Sequence, residues 1–399
     1  MDVMIGGKSA IDLTNIKVRD WDDATKFLCH YGFDPEKKED AKFIHAVIVE
    51  AIDFIRRYLL PTEWARGKRP PDQMLKTHDA RQFLLWASAS GPKDRIYQVW
   101  ACSILRVMHT ISHIEGVRRH FNFDAIIDQI IERIEKHIFQ DKAGNTRFGN
   151  ENGSIELYKA ELKRKKSRDS IILKLLHKKG NVAETIYDMI GVRLVTKSLP
   201  AVMQAVKLLR DLHMITFPNC NPGRARNTLL DIEHFKGNLE VLKTMLNEKR
   251  IQKKDFDTLI DRIVIPKEKK DKSTSQNPHT GDNYKSVQLT CRQLVYNSTP
   301  GHKWLENIDS YLQSSNIEEN ARPLLEGLAN NCRLYFNAYP RIAYGYLPFE
   351  VHILDKVSYL QNKTGSASHD HYKSSQLRAA RRRVLAEVLT LKAKGQSKL

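Results

Sequence analysis

The sequence has no CxxC pair, and its five cysteines, Cys29, Cys102, Cys220, Cys291 and Cys332, lie far apart with no histidine at zinc-finger spacing. That pattern argues against a structural zinc site and a disulfide framework, and the odd count suits a reducing compartment. Long apolar runs are also missing. The first twenty residues, MDVMIGGKSAIDLTNIKVRD, carry no apolar signal core, and the most apolar helical stretch, 43–55, is broken by Glu50 and Asp53. Neither secretion nor membrane passage is expected, and the expected location is cytoplasmic. No internal repeat is present. Acidic residues are the minority: 47 Asp and Glu stand against 65 Lys and Arg, a formal net charge of +18. Such a surplus holds anionic partners, whether nucleotide phosphates, RNA or an acidic protein, and does not choose among them.

What is there describes a folded chain. With 41% apolar and 28% charged residues a largely disordered polypeptide is excluded, and 399 residues allow two domains or one enlarged by insertions. From 15 to 145 the apolar residues recur at three- and four-residue spacing, most clearly over 40–60, 78–90, 94–115 and 122–140, which predicts helix after helix. Phe123, Ile126, Ile127, Ile130, Ile131, Ile134 and Ile138 form one broad apolar face. Gly and Asn in 141–154 then break the pattern, so a helical domain is expected over 1–148 and a second domain over 149–399. A basic helix is expected at 156–178, a buried strand at 186–196, a helix at 198–213, and strands at 284–295 and 341–354. Helical insertions are expected near 226–280 and 297–340, and a basic helix at 374–394. The class is α+β, a mixed sheet flanked by helices.

Three elements carry chemistry. In Arg164-Lys165-Lys166-Ser167-Arg168-Asp169-Ser170, continuing to Lys174, a helix would bring Lys166, Ser170 and Lys174 to one face, two ammonium groups and a hydroxyl turned toward a polyphosphate. The plain alternative is a solvated basic face. Asp188 stands just before the strand Ile190–Val195, where a carboxylate is either a Mg²⁺ ligand or a cap. Glu350 alternates with Phe349 and Val351, so it points away from the apolar face. From there it is able to join Asp188 at a metal or to take a proton from a hydroxyl. His369, His371, Tyr372 and Lys373 follow it.

In order and spacing these elements resemble the synthetase domain of the RelA/SpoT family. Arg164, Lys166, Ser170, Ile171 and Lys174 match its R-x-K-x-x-x-S-I-x-x-K block, and Asp188, Ile190, Gly191 and Arg193 match the block that follows. Glu350, Val351 and Ile353, then His369, Tyr372 and Lys373, match its last blocks. The similarity covers about 155–375. It implies a nucleotidyltransferase-like fold and Mg²⁺-dependent transfer of pyrophosphate from ATP to the 3′-hydroxyl of a guanosine nucleotide, the activity of an alarmone synthetase. It further implies that Arg164, Lys166, Ser170, Lys174 and Arg193 hold ATP. Arg224, in a segment similar to the family's P-G-R, would be a further phosphate contact. Asp188 and Glu350 would hold Mg²⁺, with Glu350 also the base. Tyr284 would stack on the acceptor, with His352, His369 and Lys373 beside it.

The departures fall on the acceptor side. The family's Asn-Gly is Asp282-Asn283 here, its His is Gln288, its Gln is His352 and its Arg is Leu354. A relative that modifies adenosine nucleotides or a tRNA 3′ end is therefore a second reading, and a silent RNA- or nucleotide-binding module a third. The helical half lacks the His and Asp cluster of the family's hydrolase around His78-Asp79. His109 and His113, at i and i+4, either share a metal or are satisfied by packing.

Overall fold

The computed structural model describes residues 9–13, 16–119, 123–164, 166–178, 190–267, 284–298, 300–314, 318, 320–337, 342–364 and 369–391. Six helices come first: α1 (Trp21–Tyr31), α2 (Lys38–Phe54), α3 (Pro61–Ala65), α4 (Asp72–Leu75), α5 (Ala80–Ser88) and α6 (Arg95–Arg119). Local chemistry sets their ends. Asp20 accepts from the Asp23 amide at the start of α1, and Gly32 (φ +107°) closes it in a left-handed turn that only glycine enters cheaply. Asp79 caps α5 by accepting from the Arg81 amide. The 25-residue α6 is the axis of the bundle and buries Trp100, Ile104, Val107 and Ile111 against Val47, Phe54 and Phe83.

This core does not close within the N-terminal half. It takes Ile171, Ile172, Leu175 and Leu176 from α8 (Arg168–His177), and Ala380, Val384, Leu385 and Val388 from the last helix, α15 (His369–Thr390). Conversely α7 (Phe123–Glu135) turns its isoleucine face onto the sheet. A cut at 148 therefore does not follow the two cores.

The sheet has seven strands: β1 (Ile138–Gln140), β2 (Thr146–Asn150), β3 (Gly153–Lys163), β4 (Ile190–Thr196), β5 (Arg226–Asn227), β6 (Val287–Ser298) and β7 (Ile342–Asp355). Their order is β1-β2-β3-β4-β7-β6-β5, with β4 and β7 parallel and every other pair antiparallel. The mixed sheet with flanking helices gives the α+β class. One face is packed by α7 and by α9 (Leu199–Asp211), through Ile130, Val202, Ala205 and Leu209 against Val192, Leu194, Val351 and Ile353. The insertions are helical pairs: α10 (Ile232–Asn247) with α11 (Lys253–Arg262), and α12 (Pro300–Leu312) with α13 (Arg322–Asn337), the second pair joining β6 to β7. A short α14 (Lys356–Gln361) follows β7. Among the described residues no helix is long and apolar enough to cross a membrane.

One expectation fails clearly. Residues 156–163 form β3, not the first half of a basic helix, because pairing with both β2 and β4 outweighs the helix propensity of Glu, Lys, Ala and Leu there. The helix begins only at Arg168, capped by Ser167, so Lys166 precedes it and does not share a helical face with Ser170 and Lys174. The β2–β3 turn also requires glycine: Gly149 has φ +147°, and a Cβ there would sit 2.2 Å from the Gly153 carbonyl oxygen.

Candidate active site

Because strand side chains alternate, the apolar packing of one sheet face fixes what stands on the other. The register sets Gly191 against Glu350 and Arg193 against His352 between β4 and β7. Thr290 and Gln288 of β6 lie opposite Glu350 and His352, and Glu161 and Lys163 of β3 lie opposite Arg193 and Gly191. The face away from α7 and α9 thus gathers carboxylates, cations and a histidine from β3, β4 and β7, with two neutral polar side chains of β6 beside them.

Glu350 is buried and held from outside the sheet. Arg224, in the single turn Pro222–Arg224, places Nη2 3.0 Å from Glu350 Oε1, while His352 Nε2 lies 3.6 Å from Oε2. The Asn221 amide donates to the Thr290 carbonyl at 2.9 Å and ties that turn to β6. Just before it, Cys220 and Cys291 face each other across a β-bridge with their sulfurs 3.5 Å apart.

Beside this lies a second charged group. Glu161 receives Arg193 Nη1 at 2.7 Å, Lys159 Nζ at 2.9 Å and the Tyr359 hydroxyl at 2.8 Å. Burial works to raise its pKa, but the bonds from Lys159 and Tyr359 and the charge of Arg193 outweigh it and hold the carboxyl down to about 2. Half-buried Tyr284 puts its phenol against Arg193. Burial raises that phenol's pKa, and the Arg193 charge opposes it. The backbone around Tyr284 is pinned: its carbonyl accepts from Thr228 at 2.8 Å, and Asn362 both donates to and accepts from Lys285. At the end of β3, partial desolvation and then repulsion from Arg193, Lys373 and Lys166 lower the pKa of Lys163, so these four cations share one neighbourhood.

The expected residues divide accordingly. Glu350, Arg224, His352, Arg193 and Tyr284 come together, with Lys373 and Lys166 near them. Arg164 does not join. It directly follows Lys163, the last residue of β3, turns to the opposite side, and is held by Asp128 at 2.5 Å and Glu135 at 2.7 Å, two carboxylates a double helical turn apart on α7. Ser170 bonds Ser167 at the cap, 2.6 Å between hydroxyls, and Lys174, one turn further along α8, is buried. Ser170 and Lys174 stand four residues apart on α8 as expected, while Lys166 precedes that helix. Asp188 lies outside the described residues, and of His369 only the backbone is described.

Lys159, Glu161, Lys163 and Tyr359 are participants that the motif reading misses. The signal for the first three is the alternation of charge at 159, 161 and 163, which makes sense only on a strand, and Tyr359 has none. As for the histidines, His109 Nδ1 is 2.7 Å from the Tyr31 hydroxyl, and Asp79 serves as a cap. Among the described residues no three His, Cys, Asp or Glu side chains converge as a metal site. The site does keep unused polar capacity: Arg193 Nε, His352 Nδ1 and Thr290 Oγ1 are buried without a hydrogen-bond partner among the described residues.

Chemically, a cationic rim beside a buried, oriented carboxylate suits a polyanion that presents a hydroxyl for deprotonation. Comparison of the chain with protein-family models, curated proteins and solved structures found no match.

Proposed function

We propose that the chain is an ATP-dependent pyrophosphokinase of the RelA/SpoT type, acting on the 3′-hydroxyl of a guanosine nucleotide. The observation that carries this reading is the placement of Glu350. It stands on the polar sheet face between Arg224 and His352, one strand from Arg193 and level with Gly191, three residues after Asp188. In the reaction the acceptor oxygen bonds the β-phosphorus of ATP, the bond from that phosphorus to the oxygen of AMP breaks, and Glu350 takes the hydroxyl proton. Arg193, Lys163, Lys166 and Lys373 neutralise the charge that develops on the phosphoryl oxygens. Tyr284 offers its ring to the acceptor base.

Mg²⁺ takes one or two carboxylates and completes its shell with phosphate oxygens and water. Glu350, with the unused Thr290 hydroxyl across from it on β6 and Asp188 two residues before β4, fits that donor set. Bound there, the ion would neutralise phosphate charge.

A second reading, an RNA 3′ end as acceptor, has its own support. Further along the same face of β6 and β7 lie Leu294, Tyr296, Tyr344 and Tyr346, all half or more exposed, with Arg292 4.7 Å above the Tyr346 ring. Exposed rings beside a cation suit stacked bases. One experiment separates the readings: γ-labelled ATP and Mg²⁺ with GDP, GTP, ADP, AMP or bulk tRNA. Label in GDP or GTP supports the first reading, label in tRNA the second, and no labelled acceptor rejects both.

A further inference from the structure

The helical layer holds a half-open cavity of about 240 Å³ between α1, α2, α5, α6 and the chain at Leu13 and Ile16. Its wall is hydrocarbon and ring, chiefly Phe27, Leu28, Phe33, Phe43, Leu105 and Met108. Besides Cys102 and Ser112, two polar features interrupt it. One is the Tyr31–His109 hydrogen bond, a neutral pair: burial holds the imidazole down to about 4 and the phenol up to about 12.

The other is Arg106, buried at 7% exposure. Its two terminal nitrogens are spent on carbonyls, Nη1 on Val384 at 2.7 Å and Nη2 on Leu13, and its Nε has no partner among the described residues. Burial lowers its pKa, yet a guanidinium stays charged at neutral pH. The carboxylates whose charge reaches it are Glu387 and Asp12. Each is already paired, Glu387 with Arg95 at 2.5 Å and Asp12 with Arg383 at 2.5 Å. Among the described residues three guanidinium groups therefore share two carboxylates, and Arg106, the one with no carboxylate in ion-pair contact, lines an apolar cavity. A buried charge without a counter-charge is costly, and an anion carried on an apolar body would relieve that cost.

We propose that this cavity binds a medium-chain monocarboxylate, a fatty acid by class, with its carboxylate on Arg106 and its alkyl chain among Phe27, Phe43, Leu105 and Met108. An apolar cavity of about 150 Å³ takes benzene, six heavy atoms, so this space takes about ten, the size of octanoate. The proposal stands whether or not the chain transfers pyrophosphate.

The test titrates the full chain with octanoate and with octanol by calorimetry at pH 7.5. Octanoate is expected to bind one to one and at least tenfold tighter than octanol. Arg106→Gln should bring the two level, and Leu105→Trp, which fills the cavity, should abolish both while leaving the circular dichroism unchanged. Should Arg106→Gln fail to fold, the octanoate-to-octanol ratio of the unaltered chain and the Leu105→Trp result decide. Equal affinity for the two ligands, binding of neither, or octanoate binding that survives Leu105→Trp would overturn the proposal.

Discussion

Arg224 holds Glu350 from a turn outside the sheet, Nη2 to Oε1 at 3.0 Å, so the orientation of the buried carboxylate depends on a segment that β6 anchors through Asn221 and Thr290. Glu350→Gln keeps the volume and removes the charge. It is expected to lower kcat by more than tenfold, a barrier change above about 1.4 kcal/mol, with the circular dichroism spectrum unaltered. Arg224→Ala should also slow transfer. A kcat within tenfold of the parent for Glu350→Gln removes that residue from the chemistry.

Tyr284→Ala should raise the acceptor KM with little change in ATP binding, since a lost stacking contact is worth about 1–3 kcal/mol. Phe should restore most of the loss, because the ring face carries the contact and only the hydroxyl's bonds to Arg193 and Ser286 are forfeited. Weakened ATP binding with an unchanged acceptor KM would reverse the two subsites.

Glu161 makes stability depend on pH. Its carboxyl is held at about 2 against an ordinary 4.5, a depressed pKa, so its stabilising contribution is complete above pH 4.5 and is lost as pH falls toward 2. The difference corresponds to roughly 3 kcal/mol at most. Urea unfolding of the parent should weaken through that window, and Glu161→Gln should be less stable at pH 7 with a shallower acid decline. Identical pH profiles for the two proteins would remove Glu161 as the cause.

Gly149→Ala should destabilise the chain by about 1–3 kcal/mol, since it places a Cβ against the Gly153 carbonyl at a backbone angle that alanine avoids. A shift in the denaturant midpoint at constant slope measures it. Gly153→Ala, where a Cβ meets nothing within 4 Å, is the control and should be nearly neutral.

The strands β4, β6 and β7 are legible in the sequence because short β-branched runs bounded by polar residues have few other solutions, and alternation then places Arg193, Glu350 and His352 on one face. β3 is not legible. Its residues Glu161, Leu162 and Lys163 favour helix locally, and only pairing with β4, about thirty residues away, makes them strand. The same blindness misplaces Arg164, whose partners Asp128 and Glu135 lie 36 and 29 residues back on a helix that meets the strand only in the folded chain. Glu161 and Tyr359, 198 residues apart, have no shared local signal at all.

The helical bundle closes on α8 and α15, which bracket β4 through β7. Synthesis in chain order therefore leaves α6 with part of its apolar surface waiting for α15, some 250 residues later. Such distant closure costs loop entropy and slows folding. Truncation before α15 would unseat the first helices made, far from the cut in sequence, rather than simply trim a tail. A protease that nicks the chain ahead of α15 would act on the opposite end of the polypeptide.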